Sequence, residues 1–190
     1  MKIKNISLYL FTASLVLATM ACSMFVGGPD YPDQTVPASP SDSQSMRDQL
    51  EQALLAGAET GIVSLQITES QLTAFMVDKL AQQANPPFTE PQILLRNGQM
   101  LMYGKITRGW FTANMLITMN VGVDELTGQP KIEIASADFG PFPAPEGLTA
   151  AMSAIIAEAF TGSFGPVAVG FRLESIAITD SIMTLTGRIK

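Results

Sequence analysis

The most constraining feature of this sequence is a strict alternation of apolar and polar residues between Trp110 and Asp124. Every odd position in this stretch is apolar, and the positions between them are mostly polar, with Leu116 as the exception. A period of two places successive side chains on opposite faces of a β-strand. The pattern therefore predicts a long strand with one buried and one hydrated face, as found in antiparallel sheets.

Turn signals place this strand in a series of hairpins. Asn97-Gly98 is a strong two-residue hairpin signal, and Arg108-Gly109 and Asp180-Ser181 are predicted to act in the same way. The predicted strands cover 62–67, 92–96, 99–107, 110–124, 131–138, 171–179 and 182–189. With a turn at Arg108-Gly109, Met102 faces Met115, and all apolar side chains of this hairpin share one face. The same register pairs Ile106 with Phe111 and Met100 with Ile117, and the last hairpin pairs Ile178 with Met183 and Ile176 with Leu185.

Three segments have helical composition or periodicity. The first covers 44–58, and the third covers 148–160. Between them, Thr68 and Gln71 form a capping-box signature that opens a helix ending before Asn85-Pro86-Pro87. Its apolar stripe is Leu72, Phe75, Met76 and Leu80. We predict an α+β fold, in which a curved antiparallel sheet of about six strands wraps around two amphipathic helices, with an extra N-terminal helix.

The N-terminus carries an export signal. Lys2 and Lys4 precede an apolar run from Ile6 to Ala21, which is followed by Cys22, the only cysteine of the chain. This arrangement resembles a bacterial lipoprotein leader, which implies that Cys22 becomes the acylated first residue. Two alternatives stay open: an uncleaved anchor, because the apolar run could just cross a bilayer, and cleavage to a free secreted protein. Each of them places the domain outside the cytoplasm.

The composition of the next segment separates the anchor from the domain. Residues 22–45 are rich in Pro, Ser, Asp and Gly and contain few large apolar residues, so we predict an extended, disordered tether. The predicted organisation is a signal peptide over 1–21, the acylated cysteine and tether over 22–45, and one α+β domain over 46–190.

Composition also excludes several classes of function. The chain has 17 acidic and 11 basic residues, which disfavours nucleic acid as a partner. Without histidine a Ser-His or Cys-His nucleophile is excluded, and no cofactor or metal motif is present. We interpret Asp124-Glu125 as a solvated turn. An acidic pair of the glycosidase type is the one catalytic arrangement that composition leaves open, and we expect no enzymatic activity.

Four segments carry a resemblance to a known kind of protein. They are the run from Ile67 to Phe75, the strand pair around Asn97-Gly98, the stretch from Phe139 to Pro143 before a helix, and the closing Thr184-Leu185-Thr186-Gly187. In this order they resemble small bacterial envelope proteins of the YpmS-like and LmeA-like kind over about 62–190. The resemblance implies a fold distantly similar to tubular lipid-binding proteins and an association with phospholipid.

Methionine is dense where the predicted sheet meets the helices, and methionine adapts to varied apolar partners. One hypothesis is a groove that holds an acyl chain. Its predicted lining is Phe75, Met76, Met100, Met102, Phe111, Met115, Met119, Met152 and Ile156. The other is that these residues fill an irregular core. The competing function is an envelope scaffold that binds protein or cell-wall partners through its polar sheet face, at Thr112, Asn114, Thr118 and Asn120.

Overall fold

The structure is a computed structural model that describes residues 24–145, 147–148, 152, 155 and 171–189. These residues form an α+β fold with two helices and eight strands, which are mostly antiparallel and curl into a half-barrel. The helices are α1, Pro40–Thr60, and α2, Glu69–Ala81. The strands are β1, Met24–Phe25; β2, Ile62–Thr68; β3, Thr89–Arg96; β4, Gln99–Arg108; β5, Phe111–Asp124; β6, Gln129–Asp138; β7, Phe171–Thr179; and β8, Ile182–Ile189. No helix in these ranges is long and apolar enough to cross a membrane.

Strand β5 organises the larger, five-stranded sheet. Strand β4 pairs with one edge of β5, and β3 pairs with the far side of β4. The other edge of β5 holds β1 in parallel at Phe111 and Thr112, and β6 antiparallel from Leu116 onward. The alternation that predicted β5 corresponds to one buried face of this sheet, where the odd-numbered side chains from Ala113 to Met119 are almost completely buried.

The smaller sheet contains three strands in the order β2-β8-β7. Two backbone hydrogen bonds link it to the larger sheet, from the Leu173 amide to the Gly128 carbonyl at 3.3 Å and from the Ser181 amide to the Leu95 carbonyl at 3.1 Å. The expectation of one sheet with about six strands is corrected here, because β2, β7 and β8 pair only with one another along the ladders of the described chain.

Two of the predicted hairpins have the expected register. Arg96 pairs with Gln99 around Asn97-Gly98, and both turn residues have positive φ, at 54° and 76°, as a type I′ turn requires. In the last hairpin Ile178 pairs with Met183 and Ile176 with Leu185, which confirms the turn at Asp180-Ser181.

The register predicted for the β4–β5 hairpin is wrong. Arg108 pairs with Phe111, so the turn is Gly109-Trp110, and Met115 lies opposite Gly104 rather than Met102. Gly109 has a φ of 59°, which glycine adopts without steric cost at the first turn position. Because Met102 instead pairs with Ile117, both apolar sets still share one face.

Two apolar clusters fill the space between the sheets and the helices. One lies between the larger sheet and α2; its buried members are Met76, Leu80, Phe88, Ile93, Met102, Ile106, Met115, Ile117, Met119, Leu148, Met152 and Ile155. The other lies between the smaller sheet and α1; its buried members are Val63, Leu65, Ile67, Leu95, Leu173, Met183 and Leu185. In the predicted third helix, the three described residues Leu148, Met152 and Ile155 are helical and buried, and the rest of 148–160 lies outside the described residues.

Helix α2 lies along the outer edge of β3, and two of its side chains accept hydrogen bonds from backbone amides of that strand. The Thr68 hydroxyl accepts the Gln71 amide, and the Gln71 side chain accepts the Thr68 amide, which confirms the capping box. Further along α2, the Thr73 hydroxyl accepts the Ile93 amide at 3.0 Å, and the Glu69 carboxylate accepts the Leu95 amide at 2.7 Å. These bonds protect an edge that would otherwise be open to pairing with another chain.

The segment that precedes α1 lies against the larger sheet. Helix α1 begins at Pro40 with Ser39 as its N-cap residue, whose amide donates to the Asp42 carboxylate at 2.7 Å. The predicted helix start at 44 and the predicted domain start at 46 therefore fall inside α1. Residues 24–36, expected to be part of a free tether, include β1 and make several hydrogen bonds to the sheet.

Candidate functional site

Most of the residues predicted to line an acyl-chain groove meet in one buried cluster. Its five methionines, which we call the methionine cluster, are Met76, Met102, Met115, Met119 and Met152. Phe75 and Met100 are partly buried against it. The side chains of Met102 and Met115 are 0 % exposed. Burial of this extent, in contact with α2 and with the described residues of 148–155, is typical of a close-packed core.

Two of the predicted lining residues do not join this cluster in the described structure. Phe111 is 42 % exposed and lies beside β1 at the end of the sheet. Ile156 lies outside the described residues, as does Cys22, the predicted lipidation site.

The predicted polar face of β5 is covered at one end by the chain itself. Asn114 is buried at 8 % exposure; its amide donates to the Gly27 carbonyl at 3.0 Å, and its side-chain nitrogen donates to the Pro29 carbonyl at 3.0 Å. Further along the strand Asn120 is exposed and accepts a hydrogen bond from Gln99 at 2.9 Å. The surface predicted for a scaffold partner is therefore smaller than the alternation indicates.

Tyr31 holds the next part of the N-terminal segment on the sheet. Its ring meets the Tyr103 ring edge-on with centroids 5.9 Å apart, and the Lys105 ammonium lies 5.8 Å from the Tyr31 centroid. The Tyr31 hydroxyl donates to the Glu90 carbonyl oxygen. Burial, with the nearby Glu90 charge as a second cause, raises the pKa of Tyr31 to about 12.

A cleft of about 630 Å³ opens where the end of β5 meets β7 and β8. It is lined by Val123, Glu125, Arg172, Leu173, Glu174, Arg188 and Ile189. The three apolar lining residues are continuous with the core beneath the smaller sheet.

Two arginines face each other directly at this cleft. Arg172 of β7 is the cross-strand partner of Arg188 of β8, and an irregularity between Leu173 and Ser175 sets this pairing. Like charges directly opposite one another destabilise a sheet. Bulges of this kind often re-aim side chains beside functional sites. The irregularity in β7 therefore places the two arginine side chains opposite each other at the cleft.

The two arginines differ in how their charge is balanced. The Arg188 Nε atom lies 2.9 Å from the Glu174 carboxylate. The Arg172 guanidinium donates to the Glu125 backbone carbonyl at 3.1 Å, and no carboxylate of the described residues forms an ion pair with it. Arg172 can therefore offer its remaining donors to an anionic group in the cleft.

Sequence reasoning did not find this cleft. Both strands and their turn were predicted, but an uninterrupted register places Arg188 opposite Leu173 rather than opposite Arg172. The irregularity that brings the arginines together has no signature in the residue types around it. Within the described ranges, no group of three or more His, Cys, Asp or Glu residues could hold a metal ion.

No protein-family model matches the chain, and no curated protein matches it.

Proposed function

We propose that this protein is a bacterial lipoprotein, anchored outside the cytoplasm through Cys22, whose domain binds an anionic amphiphile without catalysis. The observation that carries the proposal is the cleft, because the partly exposed Val123 and Ile189 lie there beside Arg172, which forms no ion pair with a carboxylate of the described residues. A lipid with an anionic headgroup is complementary to both features, because its acyl chain matches the apolar residues and its headgroup matches the arginine. The resemblance to YpmS-like and LmeA-like envelope proteins agrees with a ligand of this class.

The proposed ligand site differs from the one that the sequence favours. The methionine cluster is fully buried, whereas the cleft opens to solvent beside exposed arginines. An acyl chain would lie over the partly exposed Val123 and Ile189 while its headgroup meets Arg172. The methionine cluster then has the structural role of the core beneath α2.

The predicted arrangement of two enclosed helices and an additional N-terminal helix is also part of this proposal. Helical backbone at Leu148, Met152 and Ile155 agrees with an amphipathic helix over 148–160. With that helix, α2 would be one of two helices enclosed by the strands, and α1 would be the additional N-terminal helix.

The ligand can be identified by mass spectrometry of lipids that co-purify with the full-length protein. We expect an anionic lipid on the wild-type protein and a roughly ten-fold or greater loss in Arg172→Gln, since a hydrogen bond to a charged group contributes about 1.5–3 kcal/mol. Arg47→Gln is the matched control, because it removes the same charge from an exposed position on α1.

Absence of lipid from both the wild-type protein and the Arg47→Gln control would contradict the proposal. The envelope scaffold would then be the better explanation. Its contact surface would be the part of the polar face near Asn120 that residues 24–36 leave uncovered.

A further inference from the structure

Four large apolar side chains are exposed together at one end of β5. Met24 is 57 % exposed, Phe25 59 %, Trp110 55 % and Phe111 42 %; we call them the aromatic patch. Met24 pairs with Phe111, and the Met24 amide donates to the Trp110 carbonyl at 2.7 Å. Single exposed apolar residues are common on protein surfaces, but four of them at one end of the sheet, divided between its two faces, indicate a contact surface at that end.

The aromatic patch is held firmly on the sheet. The Val26 amide donates to the Thr112 carbonyl at 2.9 Å, immediately after β1. Gly28 follows with a φ of 111°, and a Cβ atom there would lie 2.4 Å from the Asn114 carbonyl oxygen. Only glycine fits this close approach. The exposure of Met24 and Phe25 is therefore a property of a docked strand.

The position of the patch in the sequence, close to the proposed membrane anchor, indicates which surface it contacts. Met24 follows the proposed acylation site, Cys22, by two residues, which an extended chain spans in about 7 Å. An uncleaved anchor over 6–21 would end equally close. We propose that the aromatic patch inserts into the headgroup region of the membrane that holds the anchor and fixes the orientation of the domain. This inference shares the membrane anchor with the proposed function and does not involve the cleft.

The chemistry of the patch fits a lipid interface. Tryptophan is favoured where an apolar medium meets water, and Phe25 and Phe111 add apolar surface beside it. Arg108 is the cross-strand partner of Phe111 and is exposed. The segments 24–29 and 107–113 contain no acidic residue, although the chain as a whole has a net charge of −6. Arg108 is thus placed to meet lipid phosphate.

Trp110 is the only tryptophan of the chain, so fluorescence excited at a wavelength that tyrosine does not absorb reports on the patch alone. The experiment uses the full-length protein, processed in a bacterial host and reconstituted into phosphatidylcholine–phosphatidylglycerol vesicles with brominated acyl chains. We expect the bromines to quench Trp110, and we expect aqueous iodide to reach it less than it does in the denatured protein.

Two results would overturn this inference. If iodide reaches Trp110 freely and bromine does not quench it, the patch faces water. If iodide is excluded but bromine has no effect, protein covers the patch, and a concentration dependence of the shielding would identify a second copy of the chain.

Variants test the contribution of the neighbouring residues. Phe25→Ser combined with Phe111→Ser should abolish most of the bromine quenching while the protein still sediments with the vesicles through its anchor. Leu126→Ser is the matched control, since Leu126 is 92 % exposed in the turn at the opposite end of β5. Equal quenching in both variants would contradict the inference. Arg172→Gln should leave quenching unchanged, which separates this test from that of the cleft.

Discussion

At the scale of single residues, the sequence predicted which side chains of β5 are buried but not what they pack against. The alternation along β5 predicted the burial of Met115 and Met119, and both are almost completely buried. It could not predict whether they pack against protein or line a cavity, because a period of two reports which face is buried and not what covers it. Phe111 has the same parity and is exposed, because the sheet ends there.

The role of Met115 can be tested by adding volume. Met115→Trp should lower the free energy of unfolding by about 1–3 kcal/mol, because extra atoms in a close-packed core force its neighbours apart. Asn120→Trp places the same side chain at an exposed position on the opposite face of β5 and should change stability by less than about 0.5 kcal/mol. Chemical denaturation measures both values. An unchanged stability of Met115→Trp, together with loss of co-purified lipid, would favour the acyl-chain groove over the core.

At the scale of the elements, local signals predicted local structure well. Asn97-Gly98, Asp180-Ser181 and the Thr68–Gln71 capping box depend on residues adjacent in the chain, and the structure has all three. Strand β1 was missed, because its pairing joins Met24 to Phe111 inside a segment whose composition is that of a linker. The division into two sheets was missed for the same reason, since strand patterns do not specify distant partners.

The contact between α2 and the edge of β3 gives a prediction at this scale. Thr73 is 0 % exposed, and Thr73→Val keeps its shape but removes the acceptor of the Ile93 amide. Leaving a buried amide without a partner should cost about 1–3 kcal/mol. Thr107→Val is the control, because that hydroxyl is exposed and meets only the Thr112 hydroxyl. Hydrogen exchange should accelerate at the Ile93 amide in Thr73→Val alone; unchanged exchange there would show that α2 does not protect this edge.

For the whole molecule, β5 sets the distance between the two proposed contacts. The aromatic patch lies at its first residues, and the cleft lies at its last. A strand of 14 residues spans at most about 43 Å at roughly 3.3 Å per residue. A domain that rests on the membrane through the patch therefore holds the cleft away from the bilayer surface. Its ligand would be exchanged with a partner or a second surface on the aqueous side rather than drawn directly from the anchoring leaflet.

This orientation can be mapped with thiol labels, because Cys22 is the only cysteine and acylation consumes its thiol. The mature wild-type protein should therefore resist maleimide labelling, whereas a labelled wild-type protein would favour the uncleaved anchor. Thr107→Cys and Leu126→Cys place single dyes at exposed sites near the patch and near the cleft. In vesicles, brominated acyl chains should quench the dye at 107, and aqueous iodide should quench the dye at 126. Similar bromine quenching at both sites would mean that β5 lies flat on the membrane, so that the cleft could receive its ligand from the anchoring leaflet.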